Sequence, residues 1–570
     1  MKYQLIKERD PLLSPIEQIF YNRGINLQEI RNFINPTENS LVTPLKFDNI
    51  LEGFKILLKH IKNWDKTYLQ VDCDADGMTS AAILINYLHR RFPIWVDNCL
   101  SYHFHKGKEH GIELNEVSDD IKLVIAPDAS SNEFDIHKQL YDKGVDVLIL
   151  DHHKAEEVSQ WACVINNQLC DYPNKTLSGA GVVYKFCAFM DNYFEAPYAQ
   201  NFLDLASLGI IADVMNLTNL ETRYIISKGL SNIQNPFFKE MVHMQSYNLQ
   251  DGVTPSGVGW YISPYINAMM RSGTQEEKKL MFEAMLESKA YTNIPSTKRG
   301  ASIGEEELLV EQAVRVASRV KDRQNKERDK FYKEVAQTIA DENLNEDQII
   351  VVALDDCNEN LRGLIANKVM GDFHKPTMIL DDNGMGSARG ISEPQFDDFR
   401  GYCLSSEYVN WAEGHNNAFG VSVNNVSAFV EEANEALKDV DFDSSTYKVD
   451  FIINESDLDS SLLSEVSKLD KCWGNGFEEA TFAIEGINVT SNNIQLMSPD
   501  KHPTLKIITR NGVQIIKFKS SEEEYESLCS DGCVTINIVG TCAKNVWNNR
   551  VSYQILVQDY EVVDRQEYYF

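Results

Sequence analysis

Three short, mostly apolar runs, Tyr68–Val71, Leu123–Ala126 and Val145–Leu150, each lead directly into acidic or imidazole side chains. Such runs, each followed by a helical pattern, predict buried parallel strands joined by helical crossovers. The first is followed by Asp72-Cys73-Asp74-Ala75-Asp76-Gly77, then by a predicted helix over Thr79–Leu88 with Thr79 or Ser80 available near its N-terminus. The second ends in Pro127-Asp128 and the third in Asp151-His152-His153-Lys154. In an open α/β sheet, the carboxyl ends of parallel strands are where ligands bind.

Three carboxylates alternate over Asp72, Asp74 and Asp76. In water they would repel one another, and a bound cation is the usual reason to tolerate that. A calcium loop of the EF-hand kind would need a bidentate Glu about six residues after its Gly. Ile83 stands there and a strand precedes, so that reading fails. Each acid also has a bland reading: an N-capping loop here, a turn at Asp128, a helix cap at His152. Gathered at three strand ends, they favour a metal centre. Carboxylates with imidazoles suit Mn²⁺, with Mg²⁺ second and Zn²⁺ behind both for want of cysteine. Asp213, closing the run Leu208-Gly209-Ile210-Ile211-Ala212, is a further candidate, because an acid at the end of an apolar run needs a partner.

At roughly 150 residues per domain, 570 residues suggest about four domains. Glu305–Ala340 carries a helical pattern without Gly or Pro, apolar at both ends and polar from Lys321 to Lys330, which predicts a connector between domains. Beyond it, a strand at Ile349–Leu354, a helix at Leu361–Met370 and a strand at Thr377–Leu380 predict a second, smaller α/β unit. From about Asp450, alternating runs at Thr504–Thr509, Val513–Phe518, Val534–Val539 and Tyr553–Val557 predict a small antiparallel barrel or sandwich. The net charge of −31, from 54 basic and 85 acidic residues, excludes nucleic-acid binding by bulk charge. Local basic patches or bound cations would have to do it. The acidic stretches Glu305–Glu307, Glu431–Glu435, Asp439–Asp443 and Glu522–Glu526 are expected on solvated faces. No apolar run is long enough to span a membrane, Met1–Pro15 lacks a hydrophobic signal core, and eleven unpatterned cysteines suit reduced thiols. A cytoplasmic protein is expected.

The acidic series, the Asp151-His152-His153 tripeptide and Ala212-Asp213-Val214 together resemble the DHH phosphoesterase superfamily. The resemblance extends over nearly the whole chain to the RecJ single-strand-specific exonucleases. It is carried by Gly24 and Phe33-Ile34-Asn35-Pro36, by Ser178-Gly179-Ala180-Gly181-Val182-Val183, and by Ile262–Ala268 through Arg271. Gly386-Ser387-Ala388-Arg389, Gly414–Gly420, Trp473-Gly474-Asn475 and Tyr553–Asp559 continue it. It implies a parallel-sheet DHH domain with an N-terminal arm (1–300), a long connecting helix (301–345), a DHH-associated α/β domain (346–445) and an OB-fold barrel (446–570). It also implies one or two Mn²⁺ ions, or Mg²⁺, held by Asp74, Asp76, Asp128, His152 and Asp213, with Asp72 as a further ligand. Asp128 would bridge, and His153 would face the scissile phosphate. The implied catalytic set is Asp76, Asp128, His152 and His153. Ser387, Arg389, His415, Asn267 and Arg271 would bind substrate. Lys506, Arg510, Lys517, Lys519, Lys544 and Arg550, beside Phe518, Trp547 and Tyr553, suit single strands, where bases stack and phosphates meet cations. An ordinary sheet with a charged face explains them equally well.

The activity implied is metal-dependent 5′→3′ degradation of single-stranded DNA in repair, recombination or replication. A single-strand-binding protein or a helicase is the partner the resemblance implies. A cleft within one chain needs no second subunit, so a monomer is expected. Four positions depart from the family pattern. Gln70 replaces a His, where its amide oxygen could ligate weakly and Asp72 could compensate. Tyr265 replaces an Arg, and Cys357–Gly363 lacks a His. His105, with Lys106 beside it, stands where an Arg is expected. Two alternatives stay open: an inactive Cdc45-like replication scaffold that binds single-stranded DNA, and a phosphodiesterase for short oligonucleotides.

Overall fold

The computed structural model describes every residue except 106–109, 392–395, 443–445, 530–531, 548–549 and 567–570, and of Trp547 only the backbone. Lys106 and Asp443 therefore lie outside the described residues. The chain forms two compact units, one of residues 3–317 with 447–570, the other of 318–446 with 1–2. Among the described residues, no helix is long and apolar enough to cross a membrane.

The first unit is built on a five-stranded parallel sheet. Its order is Leu100–Phe104, Lys66–Val71, Ile121–Pro127, Asp146–Asp151 and Cys163–Asn166. The three apolar runs are its three central strands, buried on both faces. The two edge strands are short and carry polar residues such as Ser101 and Asn166, so apolar run length does not reveal them. Helix Ala75–Arg91 follows the first central strand and packs against helices Gly179–Phe194 and Leu203–Ala212. It begins before the expected Thr79. Asp74 is its N-cap, accepting the amide hydrogens of Asp76 and Gly77 at 2.9 and 3.0 Å. Thr79 lies inside the helix, its hydroxyl bonded back to the Ala75 carbonyl at 3.0 Å.

Residues 447–570 contribute a seven-stranded sheet. Its order is Phe451–Asn454, Thr481–Val489, Cys533–Trp547, Arg550–Gln566, Gln514–Phe518, Thr504–Ile508 and Ile494–Met497. The expectation of a purely antiparallel sheet is corrected: its first two strands are parallel, and so are Gln514–Phe518 and Arg550–Gln566. The two longest strands form one hairpin, with register shifts at Thr535/Ile536 and Val539/Gly540. Such irregularities bend and twist a strand, as closure of a small barrel requires.

The N-terminal arm is folded onto this sheet. Phe20 and Phe33 stack in a cluster with Phe477, at ring separations of 5.0 and 4.7 Å, and Trp473 completes it. Arg23 makes a bidentate pair with the buried Asp450 at 2.6 and 3.0 Å, and the Asn22 amide donates to the same carboxylate at 2.8 Å. Removing one partner of a buried ion pair strands the other charge, which costs about 3–5 kcal/mol. Arg23→Met is therefore expected to lower stability by about that amount in denaturant unfolding. Loss of Asp450 as well should return part of it, and a double variant no better than Arg23→Met would show that the pair is not the cause.

The second unit holds a mixed five-stranded sheet in the order Val409–His415, Ala418–Val423, Met385–Arg389, Thr377–Leu380 and Ile350–Ala353. Only the last two strands are parallel. The long helix runs from Leu309 to Glu342, beginning later than Glu305 because Glu306–Leu308 pairs as a short strand with Asn293–Pro295. Its C-terminal half enters the core of the second unit through Phe331, Val335 and Ile339. Glu307, expected on a solvated face, is buried and accepts from Arg315 and Gln312 at 2.6 and 2.7 Å.

Candidate metal centre

Parallel strands deliver Asp72–Asp76, Asp128 and Asp151–His153 to one edge of the sheet, and helix Leu203–Ala212 delivers Asp213 as its C-terminal cap. His152 Nε2 lies 3.2 Å from Asp128 Oδ1, 3.5 Å from Asp213 Oδ2 and 3.9 Å from Asp76 Oδ2. One ligand atom from each of Asp76, His152 and Asp213 falls within 4.8 Å of the others, and the same holds for Asp72, Asp74 and Asp128. The structure thus brings together every residue expected as a metal ligand, Asp72 among them.

Each acid has its own support. Asp76 accepts from the Ser178 hydroxyl at 2.8 Å and from the amides of Gly179 and Ala180 at 2.6 and 3.2 Å. The start of helix Gly179–Phe194 therefore stabilises this carboxylate, as helix N-termini do for anions. Asp151 is fully buried and accepts from the amides of His152 and Ser131 and from His153 Nδ1. Burial alone would raise its carboxyl, but the bond and charge of His153 hold it well below the usual range. The same pairing pushes His153 up to about 9 against its burial, which favours the protonated ring. His152 is held down by burial and stays neutral, the state a metal ligand requires.

The remaining acids are crowded by one another. Burial, then repulsion from Asp72 and Asp76, pushes Asp74 up to about 6. Burial, with Asp76 and Asp74, pushes Asp213 up to about 8, and Asp128 is raised well above the ordinary range by burial and the same neighbours. Asp128 Oδ1 and His152 Nε2 are buried without a hydrogen-bond partner among the described residues. A buried oxygen and a buried nitrogen without partners, 3.2 Å apart amid excess negative charge, fit a hard divalent cation.

Gln70 does not join them. Its Oε1 accepts from the Tyr68 hydroxyl at 2.6 Å and the Glu113 amide at 3.2 Å, so both lone pairs are used elsewhere. The expectation that it could ligate through that oxygen is corrected.

Residues 66–210 match the DHH family, N-terminal domain, and residues 449–559 match the RecJ OB domain. A putative prophage-derived single-strand DNA-specific exonuclease of Bacillus subtilis is 32% identical over 99% of this chain and 98% of its own. The chain belongs to the RecJ family. The single-stranded-DNA-specific exonuclease RecJ of the same organism is 23% identical over 99% of this chain and 70% of its own. RecJ of Thermus thermophilus, solved in complex with Mn²⁺, shares the fold with a TM-score of 0.74 at 18% identity, covering 97% of this chain and 76% of that one.

Within this RecJ-family site, glycines do what the sequence pattern leaves unassigned. A Cβ on Gly179 would stand 2.3 Å from Asp128 Oδ1, and one on Gly209 would stand 2.2 Å from Asp76 Oδ1. Both backbones must come that close for the carboxylates to converge, and no periodicity argument finds such a position. Helix Ser263–Ser272, carrying Asn267 and Arg271 one turn apart, packs against helices Ala75–Arg91 and Leu203–Ala212. Trp473-Gly474-Asn475 reaches the same place from the C-terminal sheet. Asn475 donates to the Val214 carbonyl at 2.5 Å and accepts from the Leu217 amide at 2.8 Å, tethering the loop that follows Asp213.

In the second unit, Arg389 and His415 lie on either side of Ala418 in the sheet register, and Ser387 lies two residues from Arg389 on the same face. The three residues expected to bind phosphate therefore share one sheet face. Gly363 makes room for the guanidinium, since a Cβ there would stand 2.6 Å from Arg389 Nη2. The C-terminal basic candidates are mixed. Lys517 is paired with Glu524 at 2.9 Å, and the Tyr553 hydroxyl accepts from Ser464, whereas Phe518 is 58% exposed. The side chain of Trp547 lies outside the described residues.

Asp128 adopts a left-handed backbone with φ of 68°, which Asn tolerates well. Asp128→Asn is expected to raise the unfolding free energy of the metal-free protein by about 0.5–2 kcal/mol by relieving repulsion. The wild type should gain about 2.7 kcal/mol at Mn²⁺ a hundredfold above its Kd, and the variant should lose most of that gain. Equal Mn²⁺ shifts in both would remove Asp128 from the centre.

Proposed function

We propose that this chain degrades single-stranded DNA from its 5′ end, using two divalent ions, Mn²⁺ or Mg²⁺. The observation that carries this reading is the convergence of Asp76, Asp128, His152 and Asp213 around unpartnered Asp128 Oδ1 and His152 Nε2, in a chain of the RecJ family. Asp74, Asp76, Asp128, His152 and Asp213 would hold the ions, with Asp72 beside Asp74 and Asp128. When bound, such ions acidify water and neutralise the charge that develops at phosphorus during displacement.

The chain's own groups supply the rest. Asp151 keeps His153 protonated, so its imidazolium can bond to a phosphate oxygen and stabilise the growing charge. Ser387 and Arg389 would hold a substrate phosphate, Arg389 through its two-pronged guanidinium, with His415 on the same face. Asn267 and Arg271 would contact the strand beside the ions. The four-part division at 300, 345 and 445 then separates ion binding, connection, phosphate binding and strand binding. A role in DNA repair, recombination or replication would follow from the activity.

The test is degradation of a 5′-phosphorylated, 3′-labelled single strand with Mn²⁺, beside a duplex and the Asp128→Ala variant. Loss from the 5′ end, absent on duplex and abolished in the variant, is the expected result. Binding of the strand without degradation in Mn²⁺ or Mg²⁺ would overturn the nuclease reading in favour of a scaffold. His153→Gln is expected to lower kcat by about 10²–10³-fold, the scale of a lost transition-state donor, with Mn²⁺ affinity retained. An unchanged kcat would remove His153 from the reaction.

A further inference from the structure

Asp72 faces two ways. One of its ligand atoms groups with Asp74 and Asp128, while another grouping joins it to Cys73 and His110. Through one ring nitrogen, His110 Nδ1 lies 2.7 Å from Asp72 Oδ2 and 3.5 Å from Cys73 Sγ. Donors around a four-coordinate ion at 2.0–2.3 Å stand about 3–4 Å apart, so an ion fits once the Asp72–His110 hydrogen bond opens by about half an ångström. Cys73 is buried and the His110 side chain is 60% exposed, so solvent reaches the group from the His110 side.

A second observation points to the same carboxylate. His105 is 1% exposed, and neither ring nitrogen has a hydrogen-bond partner among the described residues. Its Nε2 lies 3.7 Å from Asp72 Oδ1 and its Nδ1 lies 3.6 Å from Glu113 Oε1. Two imidazoles and a thiol thus surround one acid.

We propose that Asp72, Cys73 and His110 form a separate cation site that takes a thiophilic divalent ion of the zinc class and draws Asp72 away from the Asp74–Asp128 group. Sulfur and nitrogen donors select Zn²⁺ over Mg²⁺ and Mn²⁺, whereas the neighbouring oxygen-rich cluster favours the harder ions. On binding, the Cys73 thiol and the His110 ring, which its bond to Asp72 holds protonated, each give a proton to solvent and ligate as thiolate and neutral imidazole. The site lets zinc-class ions antagonise the centre next to it. That last consequence rests on the proposed nuclease activity; occupancy of the site does not.

The experiment titrates the full chain with Cd²⁺, a spectroscopic stand-in for Zn²⁺, in excess Mg²⁺, and reads thiolate-to-metal absorption in the ultraviolet. One equivalent is expected to produce the band in the wild type and in Asp213→Asn, and to lose it in Cys73→Ser. His110→Ala is expected to weaken Cd²⁺ by more than about tenfold, a loss seen even for outer-shell partners. Thermal melting of Cys73→Ser and Cys73→Ala separates loss of the site from loss of the fold. No band in the folded wild type, or a band unchanged in both Cys73 variants, would overturn the site. With the strand assay, Zn²⁺ should inhibit the wild type and not Cys73→Ser. The band without any nuclease activity would leave the site standing and the proposed function fallen. Activity indifferent to Zn²⁺ while the band is present would overturn the antagonism.

Discussion

Like charges confined at the carboxyl edge of a parallel sheet set the terms for everything around them. Asp74, Asp128 and Asp213 are crowded together, Asp128 fully buried and the other two partly so, and each is pushed toward its neutral form. The surroundings answer locally: a helix start for Asp76, an imidazolium for Asp151, glycines where a Cβ would collide with a carboxylate. These devices orient the acids without cancelling their charge. What stays uncancelled is what draws a cation, so the instability of the empty cluster and its affinity for metal are two aspects of one arrangement.

Much of this is legible in the chain itself. The central strands are legible because a parallel strand covered on both faces is almost uninterruptedly apolar, and the acids mark where each ends. The edge strands are not, because Ser101, His103 and Asn166 break the apolar run. The start of helix Ala75–Arg91 joins two readings that the sequence offers as alternatives: Asp74 is at once a predicted ligand and the cap, so the N-capping loop and the acidic site are the same residues. The parallel ladders at Phe451–Asn454 and Gln514–Phe518 are equally hidden, since alternation reports which face is buried and not which neighbour a strand has.

Site residues divide in the same way. Those carrying charge announce themselves; those that make room do not. Gly179, Gly209 and Gly363 matter through an absent atom, and only a close approach in space reveals it. Cys73 and His110 stand 37 positions apart, too far for any local spacing rule to join them. Gln70 runs the opposite way: its place in the motif suggests a ligand, and its hydrogen bonds to Tyr68 and Glu113 show a structural amide.

The pairing of the N-terminal arm with the C-terminal sheet has a consequence for synthesis. Asn22 and Asp450 are bonded across 428 positions, and Phe20 and Phe33, edge to face with each other, meet Phe477 only in the last domain. On a ribosome making about 5–20 residues per second, the arm must wait tens of seconds for the surface that covers it. During that interval two bare phenylalanines and an unpaired Arg23 trail from a nascent chain whose first sheet is already complete. A nascent chain stalled in its final domain would carry an exposed apolar arm, a natural handle for chaperones and a hazard for aggregation.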